Sequence, residues 1–187
     1  MSGRLLILSG PSGVGKDTII DAWHQINPLV IRVVATTTRP RRHNEIEGVH
    51  YNFVSEEQFQ NHIQAGDFLE YKAVHGNWYA TPRKSVNDLL SKGHIVVLKI
   101  DVQGALEVMK ECPEALSVFL LPPDKQALEN RIRNRGTETE ESIQERMANA
   151  QEELSLAHCY TKQIVNETVE DCVQELERIA KAEEAPA

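Results

Sequence analysis

Short apolar runs alternate along this chain with stretches whose apolar positions recur at helical spacing. Leu5–Leu8, Val30–Ala35, Ile95–Ile100, Ser117–Leu121 and Gln163–Val165 predict five strands. Helical patterns follow Lys16, Ser55, Pro82, Val102, Pro123, Glu138 and Glu167. Pro122-Pro123-Asp124 closes a strand and opens a helix, because proline is tolerated near a helix N-terminus. Strands alternating with helices imply an α/β fold, a parallel sheet flanked by helices. The rhythm breaks from about Thr36 to Thr81, where the chain is polar, aromatic-bearing and rich in turn residues. That stretch reads as an insertion. Thr137–Glu141 is a polar, acidic passage between two helices, and the tail 183–187 is expected to fray. Neither an internal repeat nor a low-complexity linker interrupts the pattern.

Composition narrows the class. The 187 residues suit one domain with inserted parts, and 41% hydrophobic with 26% charged residues describe a soluble globular chain. No apolar run approaches the ~20 residues of a membrane span, and the first strand begins too early for a signal peptide. Cys112, Cys159 and Cys172 are odd in number and lack C-x-x-C spacing, which argues against a disulfide framework or zinc site and for the cytoplasm. A net charge of −8 argues against general nucleic-acid binding. Positive charge nevertheless gathers at Arg39-Pro40-Arg41-Arg42-His43 and at Arg131-Ile132-Arg133-Asn134-Arg135, a pattern that suits small phosphorylated ligands.

Gly10-Pro11-Ser12-Gly13-Val14-Gly15-Lys16 supplies the matching chemistry. It lies between the first strand and a helical pattern, the context in which G-x-x-x-x-G-K becomes a phosphate site. Glycines allow a tight turn whose backbone N–H groups point inward at phosphate oxygens. The helix N-terminus adds its positive dipole end, and Lys16 adds a full charge. The residue after the lysine is commonly Ser or Thr, whose hydroxyl binds Mg²⁺; here it is Asp17, then Thr18. A carboxylate there can ligate Mg²⁺ or simply complement the dipole in the first helical turn.

Further strings accompany this loop. They are Thr37-Thr38-Arg39 through Glu45, Gly48 and Tyr51-Asn52-Phe53; Phe68-Leu69-Glu70; Gly76-Asn77-Trp78-Tyr79-Ala80-Thr81-Pro82; Ile100–Ala105; Arg135–Glu138 with Arg146; and Ile164-Val165-Asn166. In this order, from about residue 4 to 180, the chain resembles the guanylate kinases, which phosphorylate GMP with ATP. The resemblance implies a P-loop core (about 1–34, 82–125 and 158–182), a nucleoside-monophosphate-binding insertion (about 35–81) and a helical lid (about 126–157). It also implies ATP and GMP as substrates and Mg²⁺ with the ATP.

It assigns residues as well. A doubly charged acceptor phosphate must be held in line with the ATP γ-phosphate. Arg39, Arg42, Tyr51 and Tyr79 are the implied phosphate ligands, two forked cations and two neutral hydroxyls. Guanine presents N1–H and the 2-amino group side by side, and one carboxylate can accept both. Glu70 is implied for that task, with Thr81 at O6 and Asp101 near the 2-amino group. Adenine lacks this donor pair. Arg131, Arg135 and Arg146 flank the acidic passage and are implied to meet ATP and the transferring phosphoryl group, with Lys16 and Arg42 also catalytic. Asn166 is a candidate for the adenine side. The bland alternatives are a solvated basic turn, half-buried tyrosines and surface ion pairs among lid residues.

Four positions depart from the family pattern. Ala35 replaces a serine that helps hold the GMP phosphate, a loss for which Thr36 could compensate. The shifted Pro40 leaves Arg41 as an alternative to Arg42. Lys99 stands where an acid near Mg²⁺ is usual, so that either it pairs with Asp17 or the metal is held differently. Ala80 replaces a glycine. Two other functions compete: a ribose 1,5-bisphosphate kinase, whose phosphate loop also reads G-K-D, and a catalytically silent module that binds proteins. Glu70, Thr81 and Asp101 together disfavour the first, and Lys16, Arg135 and Arg146 disfavour the second. The sequence sets no oligomeric state.

Overall fold

The computed structural model describes residues 3–74, 76–133 and 140–182. Two sheets organise them. The larger is all parallel, built from β1 (Arg4–Ser9), β2 (Val30–Arg32), β7 (Ile95–Lys99), β8 (Leu116–Leu121) and β9 (Lys162–Val165) in the order β2-β7-β1-β8-β9. Alternate side chains of its central strand point to opposite faces, and both faces are covered. Leu6 and Leu8 pack with Ile19, Ile20 and Trp23 of α1 (Lys16–Ile26) and with Leu176 and Ile179 of α7 (Val169–Ala182). Leu5 and Ile7 face Val86 of α3 (Arg83–Ser91) and Val102, Ala105 and Val108 of α4 (Val102–Glu111). Trp23 Nε1 donates to Glu177 at 2.6 Å, which gives the buried indole its polar partner.

The segment expected as an irregular insertion contains a second sheet. Its strands are β3 (Thr36–Thr37), β4 (Asn52–Phe53), β5 (Phe68–Val74) and β6 (Asn77–Pro82), ordered β4-β3-β6-β5. The β6 strand runs antiparallel to both of its neighbours. Helix α2 (Glu56–Ala65) covers this sheet and starts with a capping box: Ser55 accepts from Gln58 N, and Gln58 answers to Ser55 N. Phe59, Phe68 and Ala80, joined by Trp78, form its own small core. Leu69, next along β5, packs instead into the core of the large sheet. Successive residues of one strand thus anchor both sheets, and Glu70 follows directly. The run Val30–Ala35 is not one strand: β2 ends at Arg32, and the chain crosses to the second sheet at Thr36.

Helices α5 (Lys125–Arg133) and α6 (Glu140–Ser155) pack through Leu128, Ile132, Ile143 and Ala150. Asp124 caps α5 by accepting from Ala127 N at 2.7 Å. The three cysteines are unpaired. Among the described residues, no helix is long and apolar enough to cross a membrane. The 183–187 tail lies outside the described residues.

Candidate active site

The phosphate loop joins β1 to α1. Gly10 has φ 144°, and a Cβ there would meet the Leu120 carbonyl at 2.5 Å. Gly15 begins α1 at φ 103°, where a Cβ would stand 2.8 Å from Asn166 Nδ2. Both positions demand glycine, by backbone and by space. Lys16 folds back over the loop and donates to the Gly10 and Pro11 carbonyls. The loop is braced from behind at a single acceptor, the Val14 carbonyl. Asn166 Nδ2 reaches it at 2.6 Å and Arg131 at 3.2 Å, while a second Arg131 nitrogen donates to the Asn166 carbonyl at 3.3 Å. Asn166, expected beside adenine, is 4% exposed, and its amide is committed to the loop. Ser12, Lys16, Asp17, Thr18, Arg131 and Asn166 line a cavity of about 550 Å³ at this end of the sheet.

A second cavity, about 630 Å³, lies between the loop and the small sheet. Glu70, Asp101, Tyr51, Tyr79 and Ala35 are on its wall, as are Ser12 and Asp17. The two cavities therefore share Ser12 and Asp17. Glu70 and Thr81 are direct cross-strand partners on β5 and β6, and the Thr81 hydroxyl donates to Glu70 Oε1 at 2.6 Å. Burial pushes the Glu70 pKa up to about 7, and Asp101 adds to the shift against the Thr81 hydrogen bond. Its other oxygen rests against α4, where a Cβ on Gly104 would come within 2.8 Å of Oε2. Asp101 caps the same helix by accepting from Gly104 N at 3.0 Å, and Lys72 lies 3.3 Å from its second oxygen.

Also on this wall, Tyr51 and Tyr79 meet edge to face at 5.9 Å. The Arg39 guanidinium lies 5.5 Å from the Tyr51 ring centroid and pairs with Glu45 at 2.7 Å. Glu45 also accepts from Arg42 N at 2.8 Å, and these bonds bring its pKa down to about 2. Arg41 and Arg42 are both exposed. Arg146 of α6 reaches Ser12 Oγ at 3.5 Å, so that one arginine of the expected lid stands at the phosphate loop. Arg135 lies outside the described residues.

The pairing expected of Lys99 is present: its ammonium lies 2.7 Å from Asp17 Oδ1. Sequence reasoning missed the second cation, Arg32, at 2.8 Å from the same oxygen. Burial raises the Asp17 pKa, but Lys99, Arg32 and Lys16 outweigh it and hold the group below the usual carboxylate value. A lone arginine in the apolar run Val30-Ile31-Arg32-Val33-Val34 was the signal available. The roles of Glu45 and Lys72 had no comparable mark, since their partners come from folding. Mg²⁺ in nucleotide-kinase sites takes one or two carboxylates plus phosphate and water oxygens. Asp17 fits that modest demand through Oδ2, although two adjacent cations compete for the carboxylate.

The chain is similar to known proteins over nearly its whole length. A family model for guanylate kinase matches residues 2–183. The guanylate kinase of Carboxydothermus hydrogenoformans is 44% identical across 97% of this chain and 89% of its own length. That of Nostoc is 45% identical across 95% and 89%. A crystal structure of guanylate kinase from Anaplasma phagocytophilum, 31% identical, matches with a TM-score of 0.79, covering 100% of this chain and 88% of that one. Shikimate kinase from Bacteroides thetaiotaomicron, at 15% identity and a TM-score of 0.53, shares the fold alone.

Proposed function

The chain belongs to the guanylate kinase family, and on that premise we propose that it transfers the γ-phosphate of ATP to GMP, giving ADP and GDP. One observation carries the reading: the cavity bearing Glu70 and Asp101 shares a wall, Ser12 and Asp17, with the cavity under the phosphate loop. A guanine held by Glu70 would send its phosphate toward that wall, where a phosphate oxygen can attack the γ-phosphorus as the bond to ADP breaks.

The second sheet with α2 is the acceptor-binding part in this reading, and α5 with α6 the lid over ATP. Glu70, ionised, accepts the two guanine donors; Thr81 turns its hydroxyl toward O6; Asp101 assists at the 2-amino group. Arg39, Arg42, Tyr51 and Tyr79 hold the acceptor phosphate. On the donor side the loop amides and Lys16 take the phosphates, with Arg131 and Asn166 keeping the loop in shape. Arg146 and Arg135 stabilise the charge that spreads onto the transferring group. Mg²⁺ bound with ATP would shield phosphate charge, and Asp17 Oδ2 is its candidate protein ligand. dGMP serves as a weaker acceptor. The three unpaired thiols support a reducing, cytoplasmic setting.

The experiment is ADP release from ATP with GMP, dGMP, AMP and ribose 1,5-bisphosphate compared. GMP should lead and dGMP follow, with AMP at least ~10²-fold behind because an unpaired Glu70 carboxylate penalises adenine. Equal turnover of AMP and GMP, or turnover of the sugar bisphosphate alone, would reject the reading.

A further inference from the structure

The acceptor cavity has a basic corner to which the reading above gives no task. Arg32 closes β2 and Lys99 closes β7, on neighbouring parallel strands whose register sets Arg32 beside Val97. Both side chains converge on one atom, Asp17 Oδ1, at 2.8 and 2.7 Å, and all three residues line the cavity. One carboxylate against two cations leaves a surplus positive charge. Elsewhere on the wall Lys72 faces Asp101 and Glu45 is met by Arg39, while the Glu70 carboxylate is held by the Thr81 hydroxyl.

The cations are also the sheltered members of the cluster. Arg32 and Lys99 side chains are 27% and 26% exposed, against 57% for Asp17. An anion reaching them would meet charges only partly screened by water. Asp17 is the hydrogen-bonding partner found for each among the described residues. Most of the guanidinium fork and of the ammonium's donors is therefore available to a ligand. On the same wall Ala35 offers only a methyl group, and Thr36 is 5% exposed within β3. Because Ser12 and Asp17 line both cavities, this corner lies where acceptor and donor meet.

We propose that Arg32 and Lys99 bind the phosphate of the nucleoside monophosphate, and that Asp17 positions both cations for it. This rests on GMP being the acceptor. It assigns the phosphate a seat in the large sheet, beyond the residues of the insertion. The carboxylate holds the two side chains together against their mutual repulsion, so that the ligand finds them already paired.

The test is calorimetric binding of GMP, guanosine and ATP in metal-free buffer, each ligand alone. Arg32→Gln and Lys99→Gln should each weaken GMP by ~10-fold, the scale of one charge-assisted hydrogen bond. Guanosine, which lacks the phosphate, should be unaffected, and ATP should change by less than ~3-fold. Arg32→Lys, which keeps the charge, should recover part of the loss, and circular dichroism should show all variants folded. Asp17→Ala should weaken GMP although it removes a negative charge from an anion's path; tighter binding would overturn the positioning role. Unchanged GMP affinity in both glutamine variants, or an equal fall for guanosine, would overturn the seat while leaving GMP as acceptor. Wild-type protein that fails to bind GMP at all would overturn both.

Discussion

The Thr81 hydroxyl donates to Glu70 Oε1 across the β5–β6 pair, so that the two residues assigned to guanine are joined to each other in the free chain. The bond partly offsets the cost of placing a carboxylate among Leu69, Gly104 and Asp101, yet burial still carries the Glu70 pKa up to about 7. Guanine offers that carboxylate two donors in place of one. Binding and ionisation should therefore favour each other.

Guanosine affinity should consequently rise with pH through about 7 and fall below it, as calorimetry across that range would show. The neutral nucleoside is the right ligand, because it has no phosphate to titrate in the same window. Stability has the opposite sign. A carboxyl whose pKa is raised on folding stabilises the folded state fully below its unfolded value of 4.5, and that contribution is lost as pH rises through about 7. Glu70→Gln should then be more stable than wild type at pH ~8, by ~2 kcal/mol and with a higher melting temperature, while losing ~10²-fold in selectivity for GMP over AMP. A lower melting temperature for the amide variant at that pH would contradict the burial cost assigned to Glu70.

Lys16→Met should reduce kcat by at least ~10²-fold, the expected cost of removing a charge aimed at the transferring phosphates. The free loop would lose two donors to its own carbonyls, those of Gly10 and Pro11. Thermal unfolding should shift only slightly, because solvent can satisfy both. Near-full turnover would remove Lys16 from the site.

Arg42→Ala should raise the GMP KM with ATP binding, measured separately, nearly unchanged. Arg41→Ala should be silent. Both side chains are exposed in the free chain, but Glu45 fixes only the Arg42 backbone, through its N–H. The reverse result would exchange the two arginines in the assignment of phosphate ligands.

Asn166→Ala should raise the ATP KM and destabilise the fold by ~1–3 kcal/mol, since a buried carbonyl loses its better donor and a small void opens beside Gly15. GMP affinity should remain within ~2-fold of wild type, because the defect lies behind the phosphate loop. Equal effects on both nucleotides would mean that the amide supports the site as a whole.

The central strands β7, β1 and β8 were legible because they are buried on both faces and read as apolar runs. The second sheet was not. In β5 the residues after Leu69 alternate between half-buried and exposed, and β3 and β4 have two residues each, too few to carry a period. The expected strand overran the end of β2 because Val33 and Val34 extend the apolar run past its last paired residue, Arg32. At the site, the phosphate loop was readable from spacing, and Glu70, Thr81 and Asp101 from family likeness. The Asp17–Lys99 pair was readable from two departures that compensate in charge. Arg32, Glu45 and Gly104 act through partners that only the folded chain brings to them.

The wall made by Ser12 and Asp17 has one more consequence. Two cavities that meet at Ser12 and Asp17 can be spanned by one molecule, such as adenosine and guanosine joined by a single chain of phosphates. Once either nucleoside is seated, the other is tethered at its own cavity at high effective concentration, and its loss of translational freedom has already occurred. Such a conjugate would grip this chain far more firmly than ATP or GMP alone, and a chain one phosphate too short would forfeit the advantage. The optimal phosphate count would thus measure, in solution, the distance across that wall.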